Sequence, residues 1–495
     1  MVQMKSLTGL KPYKRYTEET CTEVQVEALT SDIIISKCQI ILLNLTWYGL
    51  NLMFLLLSVE VIPAQIAALV SAKNKGVCLG GMIAAGAVMM FVLSPLIGMY
   101  SDRLKLKSGR RRPLMVGGDS VDQFWSHGYG IQCTRSCYSQ RTTRKCYKWF
   151  MFSRFKFHIL GKPEKITTEK HSSLIAFSYE GSLFLYVMFY LLVTCAFVTI
   201  TVPYNALVVD KSHPTQRGFI SGVMATLILF GNVSGAALGT CFELVGVCFL
   251  YIMMVAILII CVSITVTSID ECQIVKEQEP ICFKIVITGF YKPLKEHNFR
   301  WVFLTRFFMQ QGLSTVIGFL EYWLDDMIYL PNCWTAQTAV AIMLLPLLLF
   351  AALSSLVAGC VSDRMERRKP IIIFGGILMT ITVVGLMLIQ GNYAYYFAVF
   401  IALVFGIGFG AYQAVDFALV MDVLPEERNK AKDMAVWHQA LILPQALATP
   451  IGGLVLDLFE RVNCQIGLGY YIVFSLSGFY FLLSSLFVVK LKGIK

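Results

Sequence analysis

Charge is scarce in this chain. Asp, Glu, Lys and Arg make up 15% of 495 residues, where soluble proteins carry about a quarter, and the mean hydropathy is +0.65. An ordinary water-soluble enzyme and a disordered chain are both excluded. No nucleophile–base set and no metal-ligand spacing falls near a credible cavity, so the chain is not read as an enzyme. No Gly-rich run is followed by lysine and Ser/Thr in the order a phosphate-binding loop needs. Fifteen cysteines are present, but Cys195, Cys248, Cys261 and Cys360 lie in apolar runs, as small hydrophobes do, and imply no disulfide framework. The first 35 residues lack an apolar stretch followed by a small-residue cleavage site. No removable leader is expected there, and the first apolar run is taken as its own insertion signal.

What the chain does have is apolar runs near the roughly 20 residues that cross a bilayer. They fall at about 37–60, 78–100, 182–207, 218–240, 244–267, 300–324, 337–361, 371–390, 393–421, 434–456 and 467–490. The net charge of +11 gathers in short loops between these runs, the pattern of cytosolic loops rather than of a nucleic-acid face. The expected partners are therefore a lipid bilayer and no nucleic acid. A polar stretch divides five runs from six. The expected organisation is a cytosolic tail over 1–36, an N-terminal bundle over 37–267, a central cytosolic linker over 268–299, a C-terminal bundle over 300–490 and a cytosolic tail over 491–495. The plasma membrane and an internal membrane fit equally.

Two motifs recur in the same order in the two halves. Gly98-Met-Tyr-Ser101-Asp102-Arg103, followed by Gly109-Arg110-Arg111-Arg112-Pro113, returns as Gly359-Cys-Val-Ser362-Asp363-Arg364, followed by Arg367-Arg368-Lys369-Pro370. Ala206-Leu-Val-Val-Asp210 returns as Ala418-Leu-Val-Met-Asp422. A small residue, a carboxylate and an arginine fork at helix ends can join two bundles through charge-assisted hydrogen bonds and release them when one side opens. The gating candidates are thus Asp102, Arg103, Arg110, Arg111, Arg112, Asp210 and Arg217 in the first half. Asp363, Arg364, Arg368, Lys369, Asp422 and Arg428 are their counterparts in the second. For Asp210 and Asp422, near Arg217 and Arg428, a solvated helix-end carboxylate is the competing account.

The duplicated loop motif resembles that of the major facilitator superfamily. The gap between Asp102-Arg103 and Gly109-Arg110-Arg111-Arg112-Pro113, with Val202-Pro203-Tyr204 and Ala414-Val-Asp416, is similar to the sucrose/proton symporter and glycoside-pentoside-hexuronide group. The resemblance implies an all-α polytopic protein of two six-helix pseudo-repeats working by alternating access. It also implies carriage of a small-molecule solute, most simply a sugar or glycoside, with protons, and no cofactor beyond a proton or sodium gradient. Two other readings stand beside it: sodium-coupled transport of another organic solute such as a lysolipid, and a non-transporting receptor-like carrier or defective gene product. Glu366 replaces the glycine usual in the second copy, so the resemblance does not by itself carry an equally tight turn over to that loop.

Ionisable residues within a bilayer are expensive and functional by default. Arg306 lies six residues inside its run and Asp416 six residues before Asp422, so each sits about 9 Å deep. The resemblance places their helices, nominally the seventh and tenth, around a central cavity. They form the candidate ion-coupling pair, with Asp416 as proton carrier; a static ion pair is the alternative. Hydroxylated solutes need hydrogen bonds and flat rings. The candidate solute contacts are Trp47 and Asn51 on the first run, Tyr204 and Asn205 on the fourth, Gln310, Gln311 and Ser314 on the seventh, and Trp437 on the eleventh.

One segment breaks the repeat. Asp363 and Asp422 are 59 residues apart with two apolar runs between them; Asp102 and Asp210 are 108 apart with one. Residues 119–172 instead carry ten basic residues, three cysteines and three of the six histidines. A Lys or Arg at mid-bilayer costs about 2.5–3.5 kcal/mol, so the nominal third helix is missing or replaced and about eleven crossings remain. Cys133, Cys137, Cys146 and His158 match no zinc spacing. We read the segment as a retained intron or frame shift, because an odd number of crossings would turn every later basic loop to the wrong side. Resequencing the transcript should return a message without it; an uninterrupted message encoding 119–172 contradicts this reading.

Overall fold

The computed structural model describes residues 34–62, 66, 75–104, 109–117, 172–239, 247–269, 271, 283–330, 334, 336–425, 429–463 and 467–493. The irregular segment, apart from Ser172, lies outside the described residues, as do Arg428 and most of the amino-terminal tail. Among the described residues the regular structure is helical. The elements are α1 (Lys37–Leu55), continued by a π-helical turn (Leu56–Val61), α2 (Lys75–Arg103), α3 (Ser172–Lys211), α4 (Arg217–Gly239) and α5 (Val247–Ser268). A shorter helix α6 (Phe283–Lys295) precedes α7 (His297–Met327), α8 (Ala336–Met365), α9 (Lys369–Leu388), α10 (Ala394–Val423), α11 (Lys430–Asn463) and α12 (Leu468–Val489).

Ten of these are long and apolar enough to cross a membrane. The 31-residue α7 is not among them, because Arg306, Gln310 and Gln311 in its middle and Glu321, Asp325 and Asp326 near its end interrupt its apolar character. It is packed inside the bundle all the same: Arg306, Gln310 and Gln311 are buried on it. Part of the segment expected as a polar linker forms α6, an amphipathic helix joined to α7 through Glu296.

The packing repeats. Helix α1 lies against α4 and α5 as α7 lies against α11 and α12; α2 meets α3 as α8 meets α10. The two sets join through α4 on α8 and, equivalently, α2 on α11. Helix α9 packs on both α10 and α12, and the described residues place no counterpart between α3 and α5. Where helices cross closely, glycine removes the obstacle. A Cβ built on Gly406 would stand 2.3 Å from the Leu347 carbonyl oxygen and one on Gly410 2.0 Å from that of Ala351, so α10 is seated backbone to backbone on α8. Buried hydroxyls add polar contacts in these seams: Thr226 of α4 and Ser355 of α8 are 2.7 Å apart, and Ser477 and Ser484 of α12 donate to the carbonyls of Gly312 and Thr305 at 2.8 Å each.

One end of the bundle collects the chain's turning points. The Gln216 side chain exchanges two hydrogen bonds with the main chain of Ile35 (3.1 and 3.0 Å), and Asn298 does the same with Lys492 (2.9 Å each). The starts of α1, α4, α7 and α11 and the ends of α2, α3, α8, α10 and α12 therefore share this end, called here the clasp end. Since both α2 and α3 finish there, the chain enters α3 from the far side. At 40 residues, α3 extends about 60 Å, and because it ends at the clasp end the helices after it run in the directions that a complete repeat would give them. The turn at Glu366 is not loosened: its φ is 51°, left-handed like Gly109 at 99° in the first half.

Gly98 of α2 marks a close backbone contact between the halves, since a Cβ there would lie 2.8 Å from both the Ala431 carbonyl oxygen and the Lys432 Cα. Both atoms belong to backbone and cannot swing aside. Gly98→Ala should therefore cost about 1–3 kcal/mol, the usual price of overpacking, and lower the thermal unfolding midpoint in detergent. An unchanged midpoint would show that α11 does not pack there.

Candidate functional site: two clasps and a buried ion pair

At the clasp end α2 stops at Arg103, and Asp102 is held against the first turn of α11. Its two carboxylate oxygens accept the main-chain N–H groups of Ala431 (3.2 Å) and Lys432 (3.0 Å). Those amides have no partner within their own helix, and the helix dipole leaves them positive, so a carboxylate is the complementary cap. Arg111 completes the unit. Its guanidinium reaches Asp102 at 2.7 Å and Asp210 at 3.3 Å and donates to the Ser101 hydroxyl at 2.9 Å. Asp210 also pairs with Arg110 at 2.9 Å and with Lys430 at 3.4 Å. Arg111 is 0% exposed. Burial alone would lower its pKa, but Asp102, Asp210 and Glu271 outweigh burial and hold it above the ordinary arginine value.

The second half repeats the centre of this unit. Asp363 accepts the N–H groups of Gly218 (2.8 Å) and Phe219 (2.6 Å) at the start of α4. Arg368 reaches Asp363 at 2.8 Å, the Ser362 hydroxyl at 2.7 Å and Asp422 at 3.2 Å, and Arg217 pairs with Asp422 at 2.8 Å. Gly359 does here what Gly98 does there, with a Cβ position only 2.6 Å from the Gly218 carbonyl oxygen. Each clasp thus ties the end of a helix in one half to the start of a helix in the other.

Several expected partners are rearranged. Asp210 and Asp422 pair with bases of the opposite half, Lys430 and Arg217, because the helix after each acid crosses the seam. Lys369 stands outside the clasp, donating to the Leu491 carbonyl at 2.7 Å. Arg364 is exposed without an ion pair among the described residues. Arg112 contributes its main-chain N–H to Glu271 (3.2 Å), beside that of Arg111 (3.0 Å), and one nitrogen of Arg103 is buried without a hydrogen-bond partner. Glu271, Lys430 and the first amides of α4 and α11 were not foreseen. Lys430 was within reach, since Asp210 to Arg217 and Asp422 to Lys430 have nearly the same spacing; backbone amides leave no mark in a sequence.

Deeper, the side chains of Arg306 on α7 and Asp416 on α10 form an ion pair. They are 7% and 1% exposed, so each depends on the other for neutralisation. The guanidinium carbon also lies 3.7 Å from the ring centroid of Trp437 on α11, a cation–π contact that fixes Arg306 from a third helix. Phe417 meets the edge of the same indole at 5.7 Å, and Tyr412 lies buried one turn before Asp416. Some 9–14 Å separates the pair from the clasp-end termini of α7 and α10.

Both halves also hold buried polar atoms without hydrogen-bond partners. They include Arg306 Nε, Trp437 Nε1 and both amide atoms of Gln311 in one half, and Trp47 Nε1 and Asn205 Oδ1 in the other. Such atoms are uncommon in a finished interior and mark places where a solute or water supplies the partner. Other expected contacts are already engaged. Tyr204 donates to Asn44 at 3.0 Å and Asn51 to the Trp47 carbonyl at 2.8 Å, while Tyr204 and Trp47 pack edge to face at 6.1 Å. Gln310 is buried and Ser314 half-buried on α7. Among the described residues no group of three His, Cys, Asp or Glu could hold a metal ion.

The sequence profile described as the Major Facilitator Superfamily matches residues 172–429 and 302–493. The sucrose transport protein SUT4 of Oryza sativa, in subspecies indica and japonica, is 28% identical over 158 residues, 31% of this chain and 22% of the relative. The match thus spans about a fifth of those curated relatives' length. Three solved structures share the fold. A bacterial homologue of the iron transporter ferroportin, outward-facing, has TM-score 0.66 and 13% identity over 92% of this chain and 98% of its own. The human organic anion transporter has the same score and identity over 92% and 100%, and the Escherichia coli fucose:proton symporter gives 0.63 and 10% over 91% and 97%.

Removing one member of a buried ion pair strands the other and costs about 3–5 kcal/mol, whereas removing both costs far less. Arg306→Gln and Asp416→Asn should each depress the unfolding midpoint, and the double variant should recover most of the loss. Additive losses would mean that the two side chains do not pair.

Proposed function

We propose, from the premise that the chain belongs to the major facilitator superfamily and is one of its secondary membrane transporters, that it carries a neutral polyhydroxylated solute, a sugar or glycoside, together with a proton. The observation that carries this reading is the buried Arg306–Asp416 pair, together with the unpartnered polar atoms buried in both halves. Paired, the two residues sum to no charge, which suits an uncharged solute; unfilled donors and acceptors at Gln311, Asn205 and the two indoles suit hydroxyl groups. The names of the rice sucrose transport protein and the fucose:proton symporter lean the same way.

The chemistry is that of a charge that can be switched off. Trp437 holds the guanidinium in place whether or not Asp416 is ionised. When Asp416 takes a proton its bond to Arg306 weakens, and the arginine is free to donate to a solute oxygen; when the proton leaves, the pair closes again. The positive-inside rule assigns the clasp end, where the basic loops gather, to the cytosol. Closed clasps then correspond to a site shut from the cytosol, and alternating access consists of breaking both clasps as the halves rock. The gating residues are Asp102, Arg111 and Asp210 with Lys430, and Asp363, Arg368 and Asp422 with Arg217.

Reconstituted liposomes test this directly. Uptake of one member of a sugar panel should rise when a proton gradient is imposed. Asp416→Asn should abolish that gradient-driven uptake and spare solute exchange. Loss of both activities, or of neither, would remove Asp416 from coupling.

A further inference from the structure

Helix α6 is an amphipathic element at the clasp end that is too short to cross a bilayer. It packs on α2 of one half and on α7 and α11 of the other. A Cβ built on Gly289 would stand 3.3 Å from both Met99 Sδ of α2 and Lys432 Cδ of α11. The helix therefore lies across the seam that Asp102 closes, on the residues flanking that clasp. The halves cannot part there while α6 touches both.

Its other edge faces outward and is basic. Tyr291, Lys292 and Lys295 are exposed, and Lys295 Nζ sits 4.8 Å over the Tyr291 ring. Beyond Glu296, the acid between them, exposed Arg300 lies 5.8 Å from the Trp301 ring on the first turn of α7. Because α7 enters the bundle from this point, the edge stands at headgroup level. Lysine and arginine interleaved with Tyr and Trp at that depth are the chemistry that anionic phospholipids recognise.

We propose that α6 is a lipid-responsive bolt: anionic phospholipid headgroups of the clasp-end leaflet bind Lys292, Lys295 and Arg300, seat the helix on α2 and α11, and favour the closed clasp. This rests on the clasp being a gate, but not on the solute or on proton coupling. The test needs no transport. Amide hydrogen exchange of the full chain is compared in vesicles of phosphatidylcholine alone and of phosphatidylcholine with phosphatidylserine. With phosphatidylserine, the amides of 283–295 and those of Ala431 and Lys432 should exchange about fivefold more slowly, the size of one basic contact with an anionic surface. The variant Lys292→Gln/Lys295→Gln/Arg300→Gln should lose the slowing and match the unsubstituted protein in phosphatidylcholine. Raising the salt over the unsubstituted protein should also erase it, since the attraction is screened. Equal rates in the two lipids, slowing that survives the substitutions or the salt, or slowing of α6 without slowing at Ala431 and Lys432 would each overturn the proposal. A failed gate with an intact lipid site shows only in that last pattern.

Discussion

The structure depends on one contact made twice: a carboxylate at the end of one helix accepting the first free amides of a helix in the other half. Asp102 does this for α11 and Asp363 for α4. A helix start offers several N–H groups with no internal partner and a partial positive charge, so an aspartate satisfies both needs at once. It can also let go without leaving a deep void, because the amides can turn to water. The arginine behind each aspartate, Arg111 or Arg368, ties it to a second acid and to a serine, so each unit acts as a whole. The glycines at 98 and 359 make the contact possible, since any side chain there would hold the two backbones apart.

Much of this was legible in the sequence because it was written twice. The order of glycine, serine, aspartate and arginine fork recurs, and repetition across two halves identifies residues that composition alone would assign to loop anchoring. The long helices were readable from apolar length, including α7, which its polar residues disguise, whereas α6 lies in the stretch expected as a linker. Less legible was the exchange of partners. Proximity along the chain suggested that Asp210 would meet Arg217, whereas each acid reaches the base of the opposite half, and no sequence pattern records which helix crosses a seam. Glu366 taught a related lesson: a glycine signature can be lost while the left-handed turn it served persists, because the ion pairs on either side fix the chain.

The deep pair at Arg306 and Asp416 was recognisable from the cost of placing charge in a bilayer, and its spacing from each helix end put the two at one depth. Trp437, expected as a solute contact, is also the shelf on which Arg306 rests. That changes its physical role, since a residue that fixes a cation governs what the neighbouring acid can do. The division among polar candidates came only with geometry: Tyr204 and Asn51 spend their hydrogen bonds within the bundle, while Gln311 and Asn205 keep atoms unspent.

The central claim is that the two clasps latch one motion. Amide exchange at Ala431, Lys432, Gly218 and Phe219 measures it, compared among the unsubstituted chain, Asp102→Asn and Asp363→Asn. Asparagine keeps the shape and loses the charge. Faster exchange at all four amides in either variant is the result this account predicts; acceleration confined to the substituted clasp, with the other unmoved, would contradict it.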